Sequence, residues 1–198
     1  MSETPPENHT TSMAPQPRTS QNVASNSRSQ ASKLCGEAIR LFISIVKHIS
    51  QADGLYKAEM QHSSLQRSLD RFRLWDDAYG VSRGDIDYLF KGSRRVCQSI
   101  SGLLVSISIT LVDRLRPLFE EELKVSLTPV ILEHLTRDIK GLIDSMRSAG
   151  GQADSPGDYV DSTPDSIDEI AEDLKADTEG LLELDPLIRH PVIEIETE

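Results

Sequence analysis

The chain has 198 residues, 37% of them hydrophobic and only 5% aromatic, which suits one lean helical domain of Leu and Ile with tails. Its net charge of −11 is lopsided: from Gly151 onward there are 15 acidic residues and two basic ones, leaving 19 basic and 17 acidic before that point. Such an acidic segment repels phosphate backbones and anionic lipid surfaces, so nucleic-acid binding is not expected.

Residues 1–30 are Ser, Thr, Pro, Asn and Gln with almost no large apolar side chains. Such a stretch buries too little surface to offset its ordering entropy, so a disordered tail is predicted. It lacks a basic region followed by an apolar stretch, so no signal peptide is expected. The cytoplasm is the expected location, with the nucleus left open.

Order is predicted from Ala31, and a helical domain from 31 to 190. Leu34, Ala38, Leu41, Phe42, Ile45, Val46 and Ile49 recur at steps of three and four, which makes one apolar helix face. Asp53-Gly54 is a stop signal. A second helix is predicted from Leu55 to Ala78, striped by Leu65, Leu69, Phe72, Trp75 and Ala78. Gly80 suits the left-handed position after it. A third is predicted from Asp85 to Pro117, carried by Ile86, Leu89, Phe90, Val96, Cys97, Ile100, Leu104, Ile107, Leu111 and Leu115. Its stretch from Val96 to Val112 holds no charged residue, which predicts a central place in the bundle. Pro117 should kink or end it.

Thr128-Pro129 reads as a cap with proline in the first turn of a fourth helix. Ile131, Leu132, Leu135, Ile139, Leu142, Ile143 and Met146 are expected inward, and Gly150-Gly151 closes it. A polar linker follows over 150–163. Thr163-Pro164 repeats the cap signal before a fifth helix, with Ile167, Ile170, Ala171, Leu174, Leu181 and Leu182 on one face. Its other face carries Asp168, Glu169, Glu172, Asp173, Asp177 and Glu179. Acidic residues in the first turn suit the helix dipole. Asp185-Pro186 should end the helix, and 191–198 read as an acidic extended tail. The fold class expected is all-α, a single bundle of about five helices.

The residues that carry chemistry are sparse. The histidines stand at 9, 48, 62, 134 and 190, none within four residues of another, so no metal ligand set is expected. Cys35 and Cys97 sit in apolar helical patterns and read as buried free thiols. Gly92-Ser93-Arg94-Arg95 has residue types that contact anions but no phosphate-loop pattern, and reads as an exposed basic turn. No serine has a nucleophile-elbow setting. Paired carboxylates on the fifth helix read as a solvated face. No catalytic, metal or cofactor site is expected, and so no enzyme. Ser155-Pro156 and Thr163-Pro164 are proline-directed phosphorylation candidates; turn and cap chemistry explains them as well. The uncharged run of helix three is 17 residues long, at the short limit for a membrane span, and its Ser, Gln and Gly content favours a core helix. No constitutive span is expected.

The residues Leu69-Asp70-Arg71-Phe72-Arg73-Leu74-Trp75, then Gly80, then Ile86-Asp87-Tyr88-Leu89 and the apolar run after Val96 resemble a helical domain common at the N-termini of filamentous-fungal multidomain proteins. Glu169 to Thr178, followed by Leu181-Leu182-Glu183-Leu184-Asp185-Pro186, is similar to that domain's last helix and its Leu-Asp-Pro ending. The resemblance spans most of residues 34–193 and implies a core anchored by Phe72, Trp75, Leu89 and Leu181. In such proteins the domain precedes zinc-finger, ankyrin-repeat or NACHT regions, and its role is presumed to be interaction or signalling. This chain stops at Glu198 with no such module, which leaves a regulatory remnant as one expectation. The leading expectation is a non-catalytic interaction module that binds another protein or itself, with the helix over 164–184 as its docking element through Asp168, Glu169, Glu172 and Asp173. A membrane-active bundle of the cell-death type is the alternative.

Overall fold

The computed structural model describes residues 19–51, 56–84, 86–90, 93–118, 130–149 and 166–189. Residues 1–18 of the tail expected over 1–30, the tail over 191–198, the linker with Ser155 and Thr163, and the Thr128-Pro129 cap lie outside them. The described residues are all-α, without a strand, and five long helices account for most of them.

Helix α1 is Thr19–Gln51, so its backbone begins well ahead of Ala31. The predicted stripe is real: Leu34, Ala38, Leu41, Phe42, Ile45, Val46 and Ile49 are all buried, and Cys35 joins them. Two adjacent apolar rows on one helix make a face broad enough for several neighbours. Accordingly α1 is the hub, touching α2 (Tyr56–Tyr79), α3 (Ile86–Leu89), α4 (from Arg94) and α5 (Val130–Ala149). This corrects the expectation that the uncharged helix is central. Lack of charge makes a helix compatible with a core, but the width of the apolar face decides how many partners it takes.

Helix α2 ends where Gly80 takes the left-handed conformation, with φ 63° and ψ 29°, which is cheap only without a Cβ. A 3-10 turn, Val81–Arg83, follows, with Val81 fully buried. The sequence predicted one helix from Asp85, and the structure has two. Helix α3 is a single turn, and the chain breaks before Ser93, whose side chain accepts from the Val96 N–H at 3.3 Å. That cap satisfies an orphan donor and starts α4 afresh.

Helix α4 runs Arg94–Leu118, and its last described residue is one past Pro117. Ahead of the proline it widens into a π-helical segment over Thr110–Leu115, and the Arg116 N–H reaches five residues back to the Leu111 carbonyl. The wider turn takes up the lost N–H and the ring's clash with the preceding turn that proline brings to an α-helix.

In α5, Leu132, Ile139 and Ile143 are buried and Leu135, Leu142 and Met146 pack beside them. Ile131 was expected inward but is 66% exposed. It stands one residue, about 100° of helical rotation, off the stripe that Leu132 leads.

Helix α6 is Ile167–Glu183, and its cap is Ser166 rather than Thr163: the Ser166 hydroxyl accepts from the Glu169 N–H at 3.2 Å. Ser166-x-x-Glu169 is the capping-box spacing, three residues closer to the apolar run than Thr163. Ile167, Ile170, Ala171, Leu174 and Leu181 are buried, but Leu182 is 40% exposed and Thr178 takes the buried position instead. The Thr178 hydroxyl donates to the Leu174 carbonyl at 2.8 Å, which is how a polar side chain fits that row. The helix ends at Glu183, just ahead of Asp185-Pro186 as expected, and that pair opens a short separate helix α7, Asp185–Arg189.

Candidate functional site

The candidate site is α6 and the surface on which it lies. Its apolar row packs against α2 and α4. Helices α4 and α6 run antiparallel, since Leu103 meets Gly180, Ser106 meets Asp177 and Arg114 meets Asp173 in that order. A Cβ added at Gly180 would meet the Leu103 methyls at 3.4 and 3.5 Å, at the near limit of ordinary van der Waals contact.

The acidic face divides into two sets. Asp168, Glu169 and Glu172 are exposed, and Glu172 holds Lys175 of its own helix at 2.9 Å. The Glu172 hydrogen bond and charge raise the Lys175 ammonium above the ordinary lysine range. Asp173 and Glu179 face the bundle: Arg114 of α4 reaches Asp173 at 2.6 Å and Arg71 of α2 reaches Glu179 at 3.2 Å. Asp173, expected on the docking face, is therefore shared with the seam. These pairs are partly solvated and each contributes at most about 1 kcal/mol. Their value is orientation, because both bring a carboxylate of α6 to a guanidinium of the bundle.

Asp177 is half-buried in the same seam. Burial is the largest cause that pushes its carboxyl above the usual carboxylate range; the nearby Ser106 hydroxyl opposes this, the Asp173 charge adds to it, and Arg114 opposes it. The charge pattern made α6 visible in the sequence. Its partners Arg71, Arg114 and Ser106 carried no signal there, since each looks like an ordinary polar residue of another helix.

A second polar cluster lies at the other end of α2. Asp76 is buried, and its carboxylate accepts from the Ser82 N–H at 2.7 Å and the Ser82 hydroxyl at 2.6 Å. The Cys35 thiol lies 3.6 Å from the same carboxylate. Burial first, then the Asp76 charge and hydrogen bond, push that thiol well above its ordinary range, so it is held protonated and unreactive. Both cysteines are free. Among the described residues no three His, Cys, Asp or Glu side chains gather as a metal ion requires.

Phe72, Trp75 and Leu181 are buried, whereas Leu89 is 39% exposed and is not a core anchor. It stands in the last position of the four-residue α3, too short a helix to bury both sides. Rings of Phe72, Trp75, Tyr79 and Phe90 form a chain with successive centroids 6.4, 6.1 and 5.8 Å apart. Arg94 and Arg95 are exposed in the first turn of α4, as the sequence predicted for a basic turn. Helix α4 is long and apolar enough to cross a membrane by length and composition, and nearly half of its apolar stretch is buried within the protein. The chain matches no family model, no curated protein and no solved structure.

Proposed function

We propose that this chain is a non-catalytic helical interaction module that offers the outer face of α6 to a basic protein surface. One observation carries the reading: Asp168, Glu169 and Glu172 project together from one helix, in exposed positions, while the opposite row is sealed into the core. A cluster of like charges on a fixed helix favours association with a complementary surface and speeds encounter at low salt. The resemblance to fungal N-terminal helical domains supports the same role. The test is fluorescence-polarisation titration of Lys/Arg-rich peptides with the full chain and with the triple variant Asp168→Asn, Glu169→Gln, Glu172→Gln. The expected result is salt-sensitive binding that the variant weakens by about tenfold or more. Equal binding by both proteins, or none at low salt, sinks the proposal. Light scattering on a sizing column reports whether the partner is a second copy.

A second reading, membrane activity, is favoured by α4 alone, since it is long and apolar enough to span a bilayer. Two arginines stand at its N-terminal end, Arg94 and Arg95, and two more at Arg114 and Arg116. Dye leakage from vesicles of anionic or neutral lipid separates the two readings, and tight vesicles with both lipids remove this one.

A further inference from the structure

We propose that the chain pairs with a second copy of itself along the edge where α2 and α6 lie side by side, through a two-fold axis that sets Leu74 of one copy on Leu182 of the other. This contact uses a surface other than the acidic outer face of α6, so it stands apart from the docking reading.

The directions of the helices place these residues. The first half of α1 meets the ends of both α2 and α5, through Cys35 with Asp76 and Gln30 with Ser145. Helices α4 and α5 run antiparallel, since Asp113 meets Lys140 and Arg116 meets Thr136. Helix α6 also opposes α4, so α2 and α6 end at the same pole and run parallel. Their outer edge is marked by Arg71 and Glu179, paired at 3.2 Å with both side chains partly in solvent. One turn on along each helix come Leu74 and Leu182. Leu74 is 68% exposed, and Ala78 one turn beyond it, Leu182, Pro186 and Leu187 are exposed as well. Single exposed apolar residues are ordinary, but several gathered along one edge mark a contact surface.

Charge selects the partner. On α2 the strip is flanked by Arg67, Arg71 and Arg73, while the carboxylates there are engaged, Asp77 by Arg83 at 3.9 Å and Asp70 by the Gln66 amide at 2.9 Å. From Ala176 to Ile188, α6 and α7 carry Asp177, Glu179, Glu183 and Asp185 and no basic residue. A basic α2 edge beside an acidic α6 edge is complementary to itself when the two-fold axis runs along the helices, because α2 of each copy then faces α6 of the other. An axis across the helices would set like edges together. A stable contact buries about 800 Å² on each partner, so the leucines form its apolar centre and the charged edges its rim.

Sedimentation velocity of the full chain tests this. The native chain should be dimeric at about 100 µM, and Leu74→Glu should raise the dissociation constant by about tenfold or more. Leu182→Glu, on the other edge, should do the same. Ile131→Glu, at an equally exposed apolar position on α5, should leave the dimer intact. Buried-indole emission from Trp75 reports that each variant is folded. Should Leu182→Glu fail to fold, Leu74→Glu decides, since its side chain lies mostly in solvent. Oxidative mixing of Leu74→Cys and Leu182→Cys proteins, each in a Cys97→Ser background, should link the two faster than either links to itself. A monomer at every concentration, a dimer that survives Leu74→Glu, or preferential self-linking of the Leu74→Cys protein overturns the proposal. Leu74→Glu keeps Asp168, Glu169 and Glu172, so peptide titration of that variant tests the docking reading separately.

Discussion

The corner where α2 turns into α3 and the seam between α4 and α6 are held by opposite means. At the corner, Trp75, Phe72 and Val81 are almost wholly excluded from solvent, and one buried carboxylate, Asp76, takes both hydrogen bonds that Ser82 offers. The seam has apolar contact on one side only. Its other side has Asp173 of α6 on Arg114 of α4, partly wet, with Asp177 half-buried beside them. Dry packing around the Asp76–Ser82 hydrogen bonds makes a rigid joint, because any displacement opens a void and strands a donor, even though the Trp75 indole N–H and the Tyr79 hydroxyl are buried there without a partner. Wet ion pairs trade readily with water and give orientation with little strength. The difference suggests which part of the molecule is built to stay and which part is able to respond.

Substitutions at the two places should show that contrast directly. The largest effect is expected from Trp75→Ala, which should cost about 3–5 kcal/mol in urea unfolding by emptying the aromatic chain at the corner. The native Trp75 should emit as a buried indole, and a solvent-like emission maximum would contradict the corner described above. Next comes Asp76→Ala, expected to cost about 2–3 kcal/mol because the Ser82 N–H is left without its acceptor. Asp76→Asn retains one acceptor oxygen and should cost less.

Arg114→Ala breaks the 2.6 Å pair with Asp173, yet should cost less than about 1 kcal/mol, and less still in high salt. A loss as large as that of Asp76→Ala would mean the seam is no weaker than the corner. The smallest change is expected from Gly180→Ala. Relief of glycine's helix penalty, about 1 kcal/mol, is partly cancelled by the 3.4 Å approach of Leu103, so thermal unfolding should shift upward by only a few degrees.

Much of the helical plan was legible because burial follows local periodicity. The stripe of α1, the Gly80 stop and the inward row of α6 from Ile167 to Leu181 all follow from steps of three and four and from one residue without a Cβ. The misreadings cluster where two local signals compete. Thr163-Pro164 and Ser166 are both good caps, and the nearer one to the apolar run won. Ile131 and Leu182 are apolar residues one step beside a stripe, and hydrophobicity alone does not say which side of the row faces the core. The candidate site was half visible. Its carboxylates cluster in sequence, whereas Arg71 and Arg114 lie more than fifty residues away along the chain and join it only through folding.

The sequence by itself determined that this chain is helical, where its glycine stop falls, and that its last long helix is acidic on one face, since these depend on neighbours within one turn. Only the tertiary structure decided that α1 rather than the uncharged α4 is the hub, that Asp173 and Glu179 turn toward arginines while Asp168, Glu169 and Glu172 turn away, and that Asp177 sits half-buried against Ser106. Those outcomes depend on how helices far apart in the chain pack together, where the width of an apolar face sets which side chains meet.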